Sequence, residues 1–287
     1  MRRRRLIPEA VFVVLTAATA LPVLGAADAP LRLPLTILRN NPVTTAEVAG
    51  HEIQIGVDTG GGVLGLTQQA LTQAGAIELP GKPTVWTDSS GQSHEARRFR
   101  VPQLRVGGRT FTNVDAIEAH EIPNGPAVAN VLGREFLKQF IVIIDYPGSL
   151  MTLLSPDTPD AEAEAMGCKG ARASFERSSE PGLVITRVKV DEATLRLGWD
   201  TGATYSTLPA QVATDHRLTL TPPAGKKPPF YNTKRLLIGE TNLGPFDFVV
   251  LPLGLPSDVE GMLGYNVFAK HVVCLNYARG EVRIRRS

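Results

Sequence analysis

The chain has 287 residues, 43% hydrophobic and 20% charged, a globular composition and not a disordered or fibrous one. The formal charge is +2, but Arg2–Arg5 and Glu9 contribute +3 of it, leaving −1 on everything after residue 27. A body so near neutrality has no electrostatic footprint for nucleic acid, and that class of partner is excluded.

In chain order, Arg2–Arg5 forms a basic start, and Ala10 to Ala27 is uncharged, mostly apolar and closes on Gly25-Ala26-Ala27. Residues 1–27 read as a signal peptide cleaved near Ala27, so the protein is expected to be exported, periplasmic or secreted. Left uncleaved, the same 18 uncharged residues would just span a bilayer and anchor the protein by its N-terminus.

The rest is organised by an internal repeat. Asp58-Thr59-Gly60 recurs as Asp200-Thr201-Gly202, and each copy follows a segment of alternating polar and apolar residues, Glu52 to Val57 and Ala193 to Trp199. That alternation predicts a half-buried strand. Eight residues after each Asp stands a Leu, Leu66 and Leu208, and a short helix is predicted after each, with Thr67 as a cap for one and Pro209 in the first turn of the other. Downstream, Val131-Leu132-Gly133 with Phe136-Leu137 matches Met262-Leu263-Gly264 with Val267-Phe268. Ile143 to Tyr146 then falls on Cys274 to Tyr277, and both copies end in short strands. Two lobes follow, residues 31–155 and 171–287. They are joined by an acidic, Ala-rich linker or exposed helix at residues 156–170.

A carboxylate on a tight turn after a strand acquires a use when it is present twice. Gly60 and Gly202 let the backbone bring an N–H to the carboxylate, and the Thr59 and Thr201 hydroxyls can tie the two turns together across a pseudo-twofold axis. Asp58 and Asp200 held about 3 Å apart could not both ionise and would share one proton. One could then take a proton from water while the other gives one to a carbonyl oxygen.

Carried by these residues, the chain resembles the pepsin/retropepsin-type aspartic proteases, close to bacterial proteins with retroviral-type protease domains. Val57-Asp58-Thr59-Gly60 and Trp199-Asp200-Thr201-Gly202 match that family's catalytic turn, and Val131-Leu132-Gly133 and Met262-Leu263-Gly264 match the segment threading behind it. The resemblance spans both lobes. It implies a mainly β, two-lobed acidic-protease fold with a few short helices. It also implies an aspartic endopeptidase acting on a peptide or protein substrate, with Asp58 and Asp200 catalytic and Thr59, Gly60, Thr201 and Gly202 supporting the turns. No metal and no cofactor are expected, and a monomer would carry both halves of the dyad. Gly61 departs from the family, which usually has Ala, Ser or Thr there; the expectation is a looser first turn.

The interval from Asp58 to Gly133 is 75 residues and that from Asp200 to Gly264 is 64. In the longer one, Thr84 to Thr87 and Ser93 to Arg97 flank the turn formers Asp88-Ser89-Ser90-Gly91, predicting a hairpin. In the family such a hairpin is the flap over the substrate, which would involve Trp86, Asp88, Ser89, Ser90 and Gly91. The matching stretch Pro222 to Pro229 is too Pro-rich to pair throughout and is expected to be a stiffer wall.

Other readings compete. Gly60 to Gly65 also spells G-x-G-x-x-G, but Val63 to Leu66 reads as strand where a dinucleotide site needs a helix. Asp145 and Asn276 read as equivalent turn residues, and Trp86 and Trp199 as core or cleft wall. The five histidines lack metal-ligand spacing. Cys168 and Cys274 could pair in an oxidising compartment, although their spacing leaves it open. The alternative function is a non-catalytic protein of the same fold that binds a peptide or cell-envelope ligand.

Overall fold

The computed structural model describes residues 29–87, 92–120, 128–176, 178–179, 183–222 and 228–287. The first half runs through β1 (Leu31–Pro34), β2 (Thr36–Leu38), β3 (Asn41–Val48), β4 (His51–Asp58), β5 (Leu64–Leu66), α1 (Gln68–Gln73), β6 (Ile77–Glu78), β7 (Thr84–Thr87), β8 (Ser93–Ala96), β9 (Arg98–Val106), β10 (Arg109–Glu118), β11 (Val131–Gly133), α2 (Arg134–Leu137), β12 (Ile141–Asp145) and β13 (Leu150–Leu154). Helix α3 (Asp160–Ala165) leads to β14 (Ala171–Ser174), β15 (Ile185–Val190), β16 (Ala193–Trp199), β17 (Thr207–Pro209), α4 (Ala210–Asp215), β18 (Phe230–Thr233), β19 (Leu236–Ile238), β20 (Thr241–Asn242), β21 (Phe246–Leu251), β22 (Gly261–Leu263), α5 (Tyr265–Phe268), β23 (His271–Asn276) and β24 (Glu281–Arg286).

The strands form three large sheets. One, ordered β2-β3-β4-β11-β5-β10-β9-β6, is drawn only from the first half, and one, β18-β21-β17-β22-β16-β15-β19-β20, only from the second. The third, β1-β13-β12-β23-β24-β14, joins the halves through the antiparallel β12–β23 ladder. The helices fall where the repeat predicts them: α1 and α4 after the Asp-Thr-Gly turns, α2 and α5 after the apolar-apolar-Gly segments. Thr67 caps α1 by accepting from the Ala70 N–H. Pro209 is the N-cap of α4, one position earlier than its fixed φ suggested.

Alternation explains the sheets. In β4, Ile53, Ile55 and Val57 are buried while His51, Glu52 and Gln54 are exposed; in β16, Leu195, Leu197 and Trp199 are buried. The inward residues of all three sheets merge in one core with Phe136, Phe140, Phe248 and Phe268. The strands of the joining sheet, Ile141 to Ile144 and all of β23, are instead buried on both faces, which is why they read as continuous apolar runs.

Two features bind the stretch between the halves. Cys168 and Cys274 are disulfide-bonded, Cα to Cα 5.1 Å, closing 106 residues of chain; such a link stabilises by roughly 2–4 kcal/mol. Arg283, 1% exposed, donates to Asp160 and Glu164 of α3, to Glu281 and to the Cys168 carbonyl. The linker helix is therefore pinned to the joining sheet. Asp145 Oδ1 accepts from the Gly148 N–H and Asn276 Oδ1 from that of Arg279, so both are turn residues as read. Among the described residues no helix is long and apolar enough to cross a membrane.

Candidate active site

Asp58 ends β4 and Asp200 follows β16, and each strand pairs in parallel with an apolar-apolar-Gly strand. Val57 lies opposite Leu132 and Asp58 opposite Gly133; Trp199 lies opposite Leu263, whose carbonyl accepts the Asp200 N–H. A short buried strand behind each turn thus fixes where the carboxylate emerges.

The two turns are locked to one another. The Thr59 N–H donates to Thr201 Oγ1 and the Thr201 N–H to Thr59 Oγ1, both at 3.0 Å. The hydroxyls then donate onward, Thr59 to the Trp199 carbonyl at 2.8 Å and Thr201 to that of Val57 at 2.7 Å. Both threonines are fully buried, so losing one hydroxyl would strand groups in a place water cannot reach. The pseudo-twofold tie expected of Thr59 and Thr201 is present in full.

Each carboxylate is held by its own turn. Asp58 Oδ1 accepts from the Gly60 N–H at 2.9 Å and the Gly61 N–H at 2.7 Å; Asp200 Oδ1 accepts from Gly202 at 2.8 Å and Ala203 at 3.2 Å. The turns also abut each other. A Cβ on Gly60 would lie 2.4 Å from Asp200 Cγ, and one on Gly202 2.6 Å from Asp58 Cγ. Glycine at these two positions is what lets each turn reach the opposite carboxyl.

The carboxyls are close enough to hydrogen-bond to one another. Asp200 retains some accessible surface yet is densely enclosed by protein. That desolvation, followed by the charge of Asp58 and the hydrogen bond to it, raises the Asp200 carboxyl well above the usual range, against the lowering pull of the Gly202 and Ala203 N–H groups. Beneath the pair, burial raises the Tyr146 phenol, and so do the charges of Asp200 and Asp58.

Gly61 corrects the expectation of a looser first turn. A Cβ there would fall 2.7 Å from Asp58 Oδ2 and 2.9 Å from Cγ, so the missing side chain permits a tighter approach. The N–H of Gly61 is accordingly nearer its carboxylate than that of Ala203.

The structure also brings in residues the motif reading missed. Arg134, 8% exposed, donates to the Gly60 carbonyl at 2.6 Å. Asn41 donates to the Gly202 carbonyl at 2.6 Å, and Asn40 to that of Thr204 at 3.1 Å. Both asparagines lie at the β2–β3 turn of the first half, where Arg39 and Asn40 have φ of 49° and 68°. One signal was available: Arg134 directly follows Gly133, whereas Tyr265 follows Gly264 in the other copy.

The hairpin predicted around residues 88–91 has its stem. Strands β7 and β8 pair antiparallel, Trp86 opposite His94, with the two rings stacked at 4.4 Å. Asp88, Ser89, Ser90 and Gly91 lie outside the described residues, as do residues 223–227 of the second lobe's Pro-rich segment; an antiparallel bridge between Thr221 and Phe230 closes that segment. The G-x-G-x-x-G match is structural: Leu64 to Leu66 is strand. Trp199 is core, its indole N–H donating to Thr186. Among the described residues no group of three or more His, Cys, Asp or Glu could hold a metal ion.

Residues 44–136, which include the first turn, Arg134 and the strand behind Asp58, match the family model described as aspartyl protease. Over that segment the chain is similar to the aspartyl proteases. The aspartic proteinase from Irpex lacteus has the same fold, with a TM-score of 0.64 at 11% identity, covering 90% of this chain and 98% of that one. No curated protein matches the chain. Mainly β, with few short helices and two halves bridged by a common sheet, the chain has the two-lobed acidic-protease architecture its repeat implied.

Proposed function

We propose that the protein is an exported aspartic endopeptidase in which Asp58 and Asp200 activate one water for attack on a peptide carbonyl. The observation that carries this reading is the mutual placement of the two carboxyls, each held by two N–H groups of its own turn and the turns locked by reciprocal threonine hydroxyls. A pair so placed holds a single proton between its members at moderate pH, which supplies a base for the water and an acid for the carbonyl oxygen at once. No covalent intermediate is needed. The Cys168–Cys274 disulfide supports the export reading, since such bonds persist in oxidising compartments.

The test is cleavage of a diverse peptide library at several pH values by the wild type, Asp58→Asn and Asp200→Asn. Hydrolysis should follow a bell-shaped pH profile whose limits belong to the pair. Either substitution should cut kcat by at least about a thousandfold, as loss of one member of a catalytic unit does. Cleavage that survives both substitutions, or is abolished by a chelator, overturns the mechanism. Peptide retention by the wild type without turnover points to the binding protein instead.

A further inference from the structure

The reading of Asp58 and Asp200 as a working pair leaves open which one takes the proton from water, and the backbone behind them answers. Each carboxylate is joined through one peptide unit to a donor on the far side. The Gly61 N–H on Asp58 belongs to the same peptide as the Gly60 carbonyl, which accepts from Arg134 at 2.6 Å. The Ala203 N–H on Asp200 belongs to the same peptide as the Gly202 carbonyl, which accepts from Asn41 at 2.6 Å. The relays have one design and differ in charge: a guanidinium stands behind Asp58 and a neutral amide behind Asp200.

A cationic donor polarises the peptide it binds more than a neutral one does, and the hydrogen bond at its far end strengthens with it. The distances agree with that order, 2.7 Å from Gly61 to Asp58 against 3.2 Å from Ala203 to Asp200. Arg134 also anchors the turn through its backbone, its N–H donating to the Gly61 carbonyl and that of Glu135 to the Gly62 carbonyl. On the other side Asn41 is buried with its Oδ1 unpartnered, a cost in stability accepted so that its NH₂ faces carbonyl oxygens.

We infer that Arg134 and Asn41 are positioning residues that make the two aspartates unequal, placing the negative charge on Asp58 and the shared proton on Asp200. Asp58 then takes a proton from water as the water oxygen bonds to the peptide carbon, and Asp200 gives its proton to the carbonyl oxygen. The product is a neutral gem-diol, with Asp58 protonated and Asp200 ionised. The raised Asp200 carboxyl runs in the same direction. Among the described residues, the other titratable groups near the pair are Tyr146, with Tyr265 against it, and Tyr277 beside Arg134; burial raises the Tyr146 and Tyr277 phenols, which stay neutral and leave the asymmetry to the relays.

The inference rests on the proposed mechanism, but its test needs no turnover. Infrared titration of aspartate-labelled full-length protein, differenced against the Asp58→Asn/Asp200→Asn double variant, reads the one remaining carboxyl in each single variant. Asp58 alone should titrate at least about half a pH unit below Asp200 alone, a threefold difference in ionisation. Adding Arg134→Gln to the Asp200→Asn background should raise the Asp58 titration and close most of the gap, while Arg134→Lys should preserve it. Equal or reversed titrations overturn the inference, and so does a folded Arg134→Gln protein that titrates unchanged. Should Arg134→Gln fail to fold by circular dichroism, the order of the two single variants and the Arg134→Lys result decide. A protein that titrates in the stated order but cuts no peptide refutes the protease reading and leaves the charge placement standing.

Discussion

The two Asp-Thr-Gly turns are near copies in backbone and unlike in what surrounds them. In the first, Gly60, Gly61 and Gly62 follow Asp58, and their three carbonyls are capped by the side chain and backbone of Arg134 and by the backbone of Glu135. In the second, Gly202, Ala203 and Thr204 follow Asp200, and the caps are Asn41, the Tyr265 N–H and Asn40. One turn is thus held from within its own half. The other leans on a turn of the opposite half, where Asn40 takes a left-handed φ of 68° and reaches the Thr204 carbonyl. Pseudo-symmetry was kept where the carboxylates need identical N–H donors and abandoned one bond further out.

The largest effect is expected from exchanging the residues in which the turns differ. Gly61→Ala puts a Cβ where Asp58 already is, and Asp58 cannot step back because the Gly60 N–H and Asp200 hold it. A misplacement of this size is expected to lower kcat by about a hundredfold. Ala203→Gly, which only removes a side chain, should cost less than about threefold in the same steady-state assay. Equal losses would mean that the two turns are equally tight.

Removing what the turns share should act symmetrically. Thr59→Val and Thr201→Val each strand one buried N–H and one buried carbonyl, at about 1–3 kcal/mol apiece. In a chain of this size that lowers Tm by about 2–4 °C per kcal/mol, read by calorimetry at one pH. A large difference between the two would show that the lock is carried by one threonine alone.

The first lobe's hairpin and the second lobe's Pro-rich segment differ in the same way. Shortening Asp88 to Gly91 is expected to raise KM or lower kcat by about tenfold, as for a lid that positions substrate and excludes water. Trimming Ala224 to Lys227 should change either by less than about twofold; the reverse order would assign the working flap to the second lobe.

The smallest effect is on stability. A carboxyl raised in the folded protein binds its proton more tightly there than in the unfolded chain, so stability falls as pH rises above the ordinary carboxylate value of 3.8. Asp200→Asn should therefore melt about 2–4 °C above the wild type at neutral pH, with the gain vanishing near pH 3. His271 supplies an internal control of opposite sign. Burial, with the charges of Arg286 and Lys270, lowers it against the raising pull of the Val267 carbonyl, so its contribution destabilises as pH falls through 6.5 and is untouched by Asp200→Asn.

Much of this was legible in the residues because repetition is a sequence property. Asp58 and Asp200, their threonines and glycines, the strands before them and the helices after them follow from pattern and period, since local geometry depends on neighbours a few positions away. The turns at Asp145 and Asn276 and the hairpin stem around Trp86 were equally readable, whereas the sheet that joins the halves through β12 and β23 was not. Arg134 and Asn41 were not. An Arg opening a short helix and an Asn before Pro42 have ordinary local meanings, and nothing in their spacing says that 74 and 161 residues of chain fold to bring them onto equivalent carbonyls.

The disulfide and Gly61 mark the same boundary. Cysteine spacing permits pairing without requiring it, because a bond depends on two Cα atoms meeting, here at 5.1 Å across 106 residues. A glycine in place of Ala reads locally as lost contact, whereas in the assembled site it is the room that Asp58 occupies. The linear chain determined which groups the protein possesses and the backbone shapes that present them. Only the closing of one half on the other decided their distances, and distance sets whether two carboxyls share a proton and which of them a distant cation favours.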